Sequence, residues 1–135
     1  MTPQRTVVRA LGEVALRVND LHRMKQFYQE VLGLELPGES PSTVFFRIAE
    51  GYDGHTQILA LFDRSTSVDP ERTTIDHFAF TISLSDYESE WKRLERLGVK
   101  VRTAEHEWVQ WRSLVFRDPE GNWVELGYDP SVGES

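Results

Sequence analysis

GEVALRVND, residues 12–20, and IDHFAFTIS, residues 75–83, decide the fold. Each alternates apolar and other side chains with the period of two that a half-buried β-strand requires. Val14, Leu16 and Val18 form the apolar face of the first, and Phe78, Phe80 and Ile82 that of the second. Glu13, Ala15 and Arg17 therefore point to the opposite face of one strand, and His77, Ala79 and Thr81 to that of the other. Helical periodicity follows both. Asp20 is placed to cap a helix with Leu21, Met24, Phe27 or Tyr28, and Val31 at three- and four-residue intervals, and Gly33 falls at a left-handed C-terminal cap. The second helix has Ser85 and Glu88 at capping-box spacing, an apolar stripe of Tyr87, Trp91, Leu94 and Leu97, and Gly98 at its end.

The recurrence is an internal duplication. Setting Val14 on Phe78, an offset of 64, places Glu13 on His77 and Phe27 on Trp91, and the helix-ending glycines are 65 apart. TVFFRIAE (43–50) and HTQILALFD (55–63) read as further strands of the first copy, around a turn with Gly51, Asp53 and Gly54. Leu34 to Leu36 adds a short strand before Pro37. WRSLVFRD (111–118) and NWVELGY (122–128) close the second copy as a hairpin through Asp118-Pro119-Glu120-Gly121. Carrying the offset of 65 forward sets Ala60 on Glu125, so the equivalent positions of the two copies are Glu13, Ala60, His77 and Glu125.

These positions share a face. In the last strand Val124 and Leu126 oppose Trp123, Glu125 and Gly127, and in the third strand Leu59 and Leu61 oppose Ile58, Ala60 and Phe62. One face packs the helices and the other carries Glu13, His77 and Glu125. If the copies curl about a pseudo-two-fold axis, these side chains converge on a concave surface, which makes them a candidate metal site. The competing reading of Glu13 is a solvated carboxylate paired with Arg17 on its own face. His22, His55 and His106 fall on the first helix, in a loop or at a strand edge, and are not expected to be ligands.

Composition bounds the remaining classes. The 135 residues, 39% hydrophobic and 11% aromatic, are enough for one ordinary domain with a real core. No apolar run approaches the roughly 18 residues of a membrane helix, and Arg5, Arg9, Glu13 and Arg17 interrupt the N-terminal stretch, so a cytoplasmic protein is expected. With no cysteine, disulfides, thiolate metal sites and cysteine nucleophiles are excluded. A net charge of −7 argues against nucleic acid or anionic membrane as partner and accommodates a small or cationic ligand.

Paired βαβββ modules, opened by GEVALRVNDLHRMKQFYQEVLGLEL and closed by FRDPEGNWVELGY, resemble the vicinal oxygen chelate superfamily. That superfamily includes glyoxalase I, extradiol dioxygenases, methylmalonyl-CoA epimerases, and fosfomycin and bleomycin resistance proteins. The resemblance spans Val8 to Asp129, most strongly at Asp20–Leu34 and Phe116–Leu126. It implies an α+β fold: two tandem modules (about 8–63 and 75–130, with a polar linker at about 64–74) forming one domain, a curved, cup-like mixed sheet with helices on its convex face. It also implies a homodimer, with the site inside one chain or shared between two.

Carried over by position, the superfamily's ligands correspond to Glu13, Ala60, His77 and Glu125. His77 and Glu125 match the usual residue types; Glu13 stands where histidine is more common, and Ala60 where glyoxalase I has a glutamate. Three ligands resemble the dioxygenase and fosfomycin-transferase arrangement, although those use two histidines. Val115 stands where many dioxygenase relatives have tyrosine, and Arg17 resembles an arginine that glyoxalase I uses near its glutathione.

Two carboxylates and an imidazole suit a divalent Fe, Mn, Ni, Co or Zn ion, whose open positions accept adjacent substrate oxygens. Glu125 and Glu13 are the candidates for proton movement, Glu13 as ligand or general base. Arg17, Ala60, Phe62, Trp111 and Trp123 are expected to line a small-molecule pocket, with Trp108 on a lid. Three classes remain: a metal-dependent isomerase, lyase or dioxygenase; a metal-free, antibiotic-sequestering protein of the bleomycin-resistance type, for which the acidic balance suits a cationic drug; and a catalytically silent dimerising domain.

Overall fold

The computed structural model describes residues 9–64, 75–106 and 111–128. The chain divides into two compact units, Met1–Ser67 and Val68–Ser135. The first contains β1 (Glu13–Val18), α1 (Leu21–Gln26) continued by a π turn (Phe27–Val31), β2 (Glu35–Ser40), β3 (Thr43–Glu50), a 3-10 turn (Tyr52–Gly54) and β4 (Thr56–Asp63). The second repeats the order with β5 (His77–Thr81), a 3-10 turn (Leu84–Asp86), α2 (Tyr87–Arg96), β6 (Arg102–His106), β7 (Trp111–Arg117) and β8 (Trp123–Tyr128). Each unit is a βαβββ module with a four-stranded mixed sheet, ordered β1-β4-β3-β2 and β5-β8-β7-β6. The class is α+β. In each sheet the first and last strands of the module run parallel side by side, and the other pairs are antiparallel.

The register reproduces the duplication. Ala15 stands opposite Ala60 in the first sheet and Ala79 opposite Glu125 in the second, the same offsets of 64 and 65 read from the sequence. Burial follows the alternation: Leu16 and Val18 are buried and Glu13, Ala15 and Arg17 exposed. Met24 and Tyr28 on the helix join Val44, Phe46, Leu59 and Leu61 in the first core. In the second unit Leu94, Leu114, Phe116, Val124 and Leu126 are buried.

The Asp20 cap forms, its side chain accepting from the Arg23 amide at 3.1 Å. The helix then loosens, with the Leu32 amide donating to the Phe27 carbonyl at 3.2 Å, before Gly33 takes φ 72°. This extra residue per turn resolves the choice between Phe27 and Tyr28: Tyr28 is fully buried and Phe27 only half-buried. Gly98, at φ 83°, closes α2 in a Schellman arrangement, with amides of Gly98 and Val99 donating to carbonyls of Glu95 and Leu94.

Three expectations are corrected, and one strand was not foreseen. The Ser85/Glu88 capping box does not form, because a 3-10 turn precedes α2 and puts Asp86 at its N-cap without a side-chain hydrogen bond. Leu97 lies past the last helical turn and is 52% exposed rather than part of the stripe. β2 runs through Pro37 to Ser40, which an edge strand with a register shift between Glu35 and Gly38 tolerates because Pro37 owes no ladder hydrogen bond there. β6 carries polar residues at most positions (RTAEH), so no apolar alternation announced it. The linker at 65–74 and Trp108 lie outside the described residues.

Candidate metal site

The second sheet assembles the site from its two parallel strands. His77 opens β5 opposite Trp123, and Glu125 lies two residues further along β8 on the same face. His77 Nε2 is 3.7 Å from Glu125 Oε1. The other ring nitrogen, Nδ1, is 2.7 Å from Asp76 Oδ2. Glu125 is 7% exposed, while 43% of the His77 side chain is exposed.

This arrangement fixes the chemistry of the imidazole. With Nδ1–H donated to Asp76, a neutral His77 presents a bare Nε2 to a carboxylate oxygen, two lone-pair atoms facing across 3.7 Å. A metal ion or a bridging water between the two makes that approach favourable. Two donors about 2.1 Å from one ion lie roughly 3.0–3.4 Å apart, so small side-chain adjustments bring the pair to that spacing. A carboxylate on the far nitrogen is also the usual companion of a metal-ligating histidine, since it holds the tautomer and the ring. The residues fit a divalent ion.

Strand geometry keeps the pair in place. The β7–β8 hairpin turns through Asp118, whose Oδ1 accepts from the amides of Glu120 (2.9 Å) and Asn122 (3.0 Å) while Oδ2 accepts from Asn122 Nδ2 at 2.8 Å. Gly121 takes φ 84° at the turn, as its place there predicts. Ser113 packs against Gly127 so closely that a Cβ on the glycine would lie 2.6 Å from Ser113 Oγ. Ser113, Asp118 and Glu125 are the buried polar side chains among the described residues, and all three belong to this hairpin.

The other candidates distribute as follows. Glu13 is exposed at the head of β1 and makes no ion pair with Arg17; instead the Arg17 guanidinium lies over the Phe62 ring, 5.9 Å from its centre. The two residues are register partners, and Phe62 meets Phe45 edge to face. Ala60 is fully buried. Trp111 begins β7 opposite His106. The guanidinium groups of Arg102 (4.8 Å) and Arg117 (4.2 Å) both lie over the Trp123 ring. Within neither unit, among the described residues, do three histidine or acidic side chains gather at metal-binding separation. Sequence reasoning missed Asp76, Arg102 and Arg117. Asp76 directly precedes His77, where strand alternation would send it to the other face, and Arg102 lies on the unannounced β6.

The chain belongs to the Glyoxalase/Bleomycin resistance protein/Dioxygenase superfamily, whose family model matches residues 10–126. Its relatives divide among several chemistries. It is 34% identical over 129 residues to biphenyl-2,3-diol 1,2-dioxygenase 3 of Rhodococcus globerulus, covering 92% of this chain and 65% of that one. It is 28% identical to glutathione transferase FosA of Serratia marcescens (89% and 81% covered) and to a manganese-dependent 2,3-dihydroxybiphenyl 1,2-dioxygenase of Geobacillus genomosp. 3 (87% and 36%). The chain thus spans somewhat under two thirds of the first relative and about a third of the last. A crystal structure of lactoylglutathione lyase from Agrobacterium tumefaciens superposes with a TM-score of 0.74 at 28% identity, covering 95% of this chain and 99% of that one. No helix among the described residues is long and apolar enough to cross a membrane.

Proposed function

We propose that this protein is a divalent-metal-dependent enzyme of the glyoxalase/dioxygenase type, acting on a small molecule that chelates the ion through adjacent oxygens. The observation that carries the reading is the Asp76–His77–Glu125 chain, with contacts of 2.7 and 3.7 Å that orient a histidine and a buried carboxylate toward one cation. His77 and Glu125 are the ligands, and Glu13, which occupies in the first module the place of His77 in the second, is the third ligand or the general base. The ion, Fe, Mn, Ni, Co or Zn, supplies Lewis acidity and open coordination positions. Asp76 holds the Nδ1 proton, so that Nε2 stays available as a donor. Glu125, nearly excluded from water, supplies a carboxylate donor to the ion. A carboxylate left partly free, Glu13 foremost, takes or returns a proton at the substrate carbon or hydroxyl next to the chelating oxygens.

The test uses Mn(II) as a reporter. Metal-stripped protein is loaded with Mn(II), and water-proton relaxation is followed while catechol or acetohydroxamate is added. Loss of relaxation enhancement as either chelator displaces bound water is the expected result. Enhancement unaffected by both would refute the open adjacent positions. Failure to take up Mn(II), Fe(II), Ni(II), Co(II) or Zn(II) would refute the enzyme reading and favour metal-free drug sequestration, for which the net charge of −7 suits a cationic ligand.

A further inference from the structure

Arg102 and Arg117 lie on the same face of the second sheet as His77 and Glu125. His77, Trp123 and Arg117 stand opposite one another across β5, β8 and β7, and Ala79, Glu125, Val115 and Arg102 form the next row across all four strands. Register partners project to the same side. Three described arginines have acid partners: Arg112 with Glu105, Arg93 with Glu90, Arg47 with Glu35. Arg102 and Arg117 have none among the described residues, although acidic residues outnumber basic ones 22 to 15 in the chain. Both are exposed, and both guanidinium groups are drawn to one indole, 4.8 and 4.2 Å from its centre.

Two like charges held at one ring repel each other, a cost that cation–π attraction offsets only in part. Stacking engages the face of a guanidinium and leaves its in-plane N–H groups as donors, in the fork geometry that matches a carboxylate. An anion bound near both would relieve the repulsion. Adjacent strands lie about 4.8 Å apart, so Arg102 on β6 is roughly 10 Å from Glu125 on β8 at the backbone, a span that one carboxylate-bearing ring or short chain bridges. The geometry points to a carboxylate subsite at Arg102 and Arg117 beside Trp123, making the substrate an anion with its chelating oxygens at one end and its carboxylate at the other. The chelating end rests on the metal reading; the subsite does not.

The test is a titration of metal-free, 15N-labelled protein with benzoate and with its neutral counterpart benzamide, read at the Trp123 indole N–H and the arginine Nε–H signals. Benzoate is expected to shift Trp123 and two arginine signals saturably, and benzamide to bind at least about tenfold more weakly, the loss of one charge-assisted contact. An Arg102→Gln/Arg117→Gln variant should lose the benzoate response while the remaining spectrum stays that of the folded protein. Equal responses to the two probes, no response to benzoate, or a benzoate response that survives in the double variant would each overturn the proposal. Metal uptake separates the two claims: the double variant should take up as much Mn(II) as the wild type. A wild type that binds benzoate but no metal would leave the subsite standing and remove the metal reading.

Discussion

Asp118→Ala is the substitution whose cost follows most directly from the structure. The carboxylate is 5% exposed and accepts three hydrogen bonds within its own turn, two from backbone amides and one from the Asn122 side chain. A hydrogen bond to a charged acceptor contributes about 1.5–3 kcal/mol net, but three sharing one group are not additive, and the amides freed in an open turn recover water. A loss of about 2–4 kcal/mol is expected, equivalent to a drop in Tm of roughly 8–15 °C for a chain of this size. Asp118→Asn keeps an acceptor for the two amides but loses the charge and the acceptor facing Asn122 Nδ2, so it should cost about half as much. Urea unfolding followed by circular dichroism measures both. Because Glu125 begins only three residues after Asn122, the same variant should also weaken metal binding while leaving the first unit folded. A cost below about 0.5 kcal/mol for Asp118→Ala would refute the view that this carboxylate organises the hairpin.

Three other outcomes follow. Gly127→Ala forces a Cβ to within 2.6 Å of Ser113 Oγ and 3.2 Å of the Arg112 carbonyl, and should destabilise by about 1–3 kcal/mol, with much of the loss recovered by adding Ser113→Gly, as thermal melts would register. Gly33→Ala meets nothing within 4 Å, so its cost of about 1 kcal/mol is that of the positive φ alone, and Gly33→Asn should cost less in urea titrations. Asp76→Asn should reduce metal affinity by about tenfold or more without affecting stability, read by competition against a coloured chelator.

The two strands that opened the duplication were legible because each buries one face and exposes the other, so alternation carries the information. The offsets of 64 and 65 made residues of the two copies equivalent, and the registers agree: Ala15 faces Ala60 as Ala79 faces Glu125. Edge strands β2 and β6 were hidden or truncated for the opposite reason: they bury little, and Pro37 or a polar run is tolerated where one side has no partner. The α2 cap was misjudged because Ser85–Glu88 spacing satisfies the motif while the backbone starts with a tighter turn. The repeat put His77 and Glu125 on one face, and they approach to 3.7 Å, whereas Asp76 reaches His77 from a position that periodicity assigns to the other face. Arg17 was paired on paper with Glu13, four residues away along one strand face, but its register partner Phe62 is nearer and offers a flat ring.

The central claim is that His77 and Glu125 bind a divalent metal, and elemental analysis tests it most directly. Protein purified without a polyhistidine tag and without added metal is compared with His77→Ala, Glu125→Ala and Glu13→Ala. Near-stoichiometric metal in the wild type, lost in the first two and reduced or lost in the third, is the predicted result, and the element found separates oxygen chemistry (iron) from isomerase or lyase chemistry (nickel, cobalt or zinc). A metal-free wild type that remains empty after incubation with each of these ions, or full metal content in His77→Ala and Glu125→Ala, would contradict it.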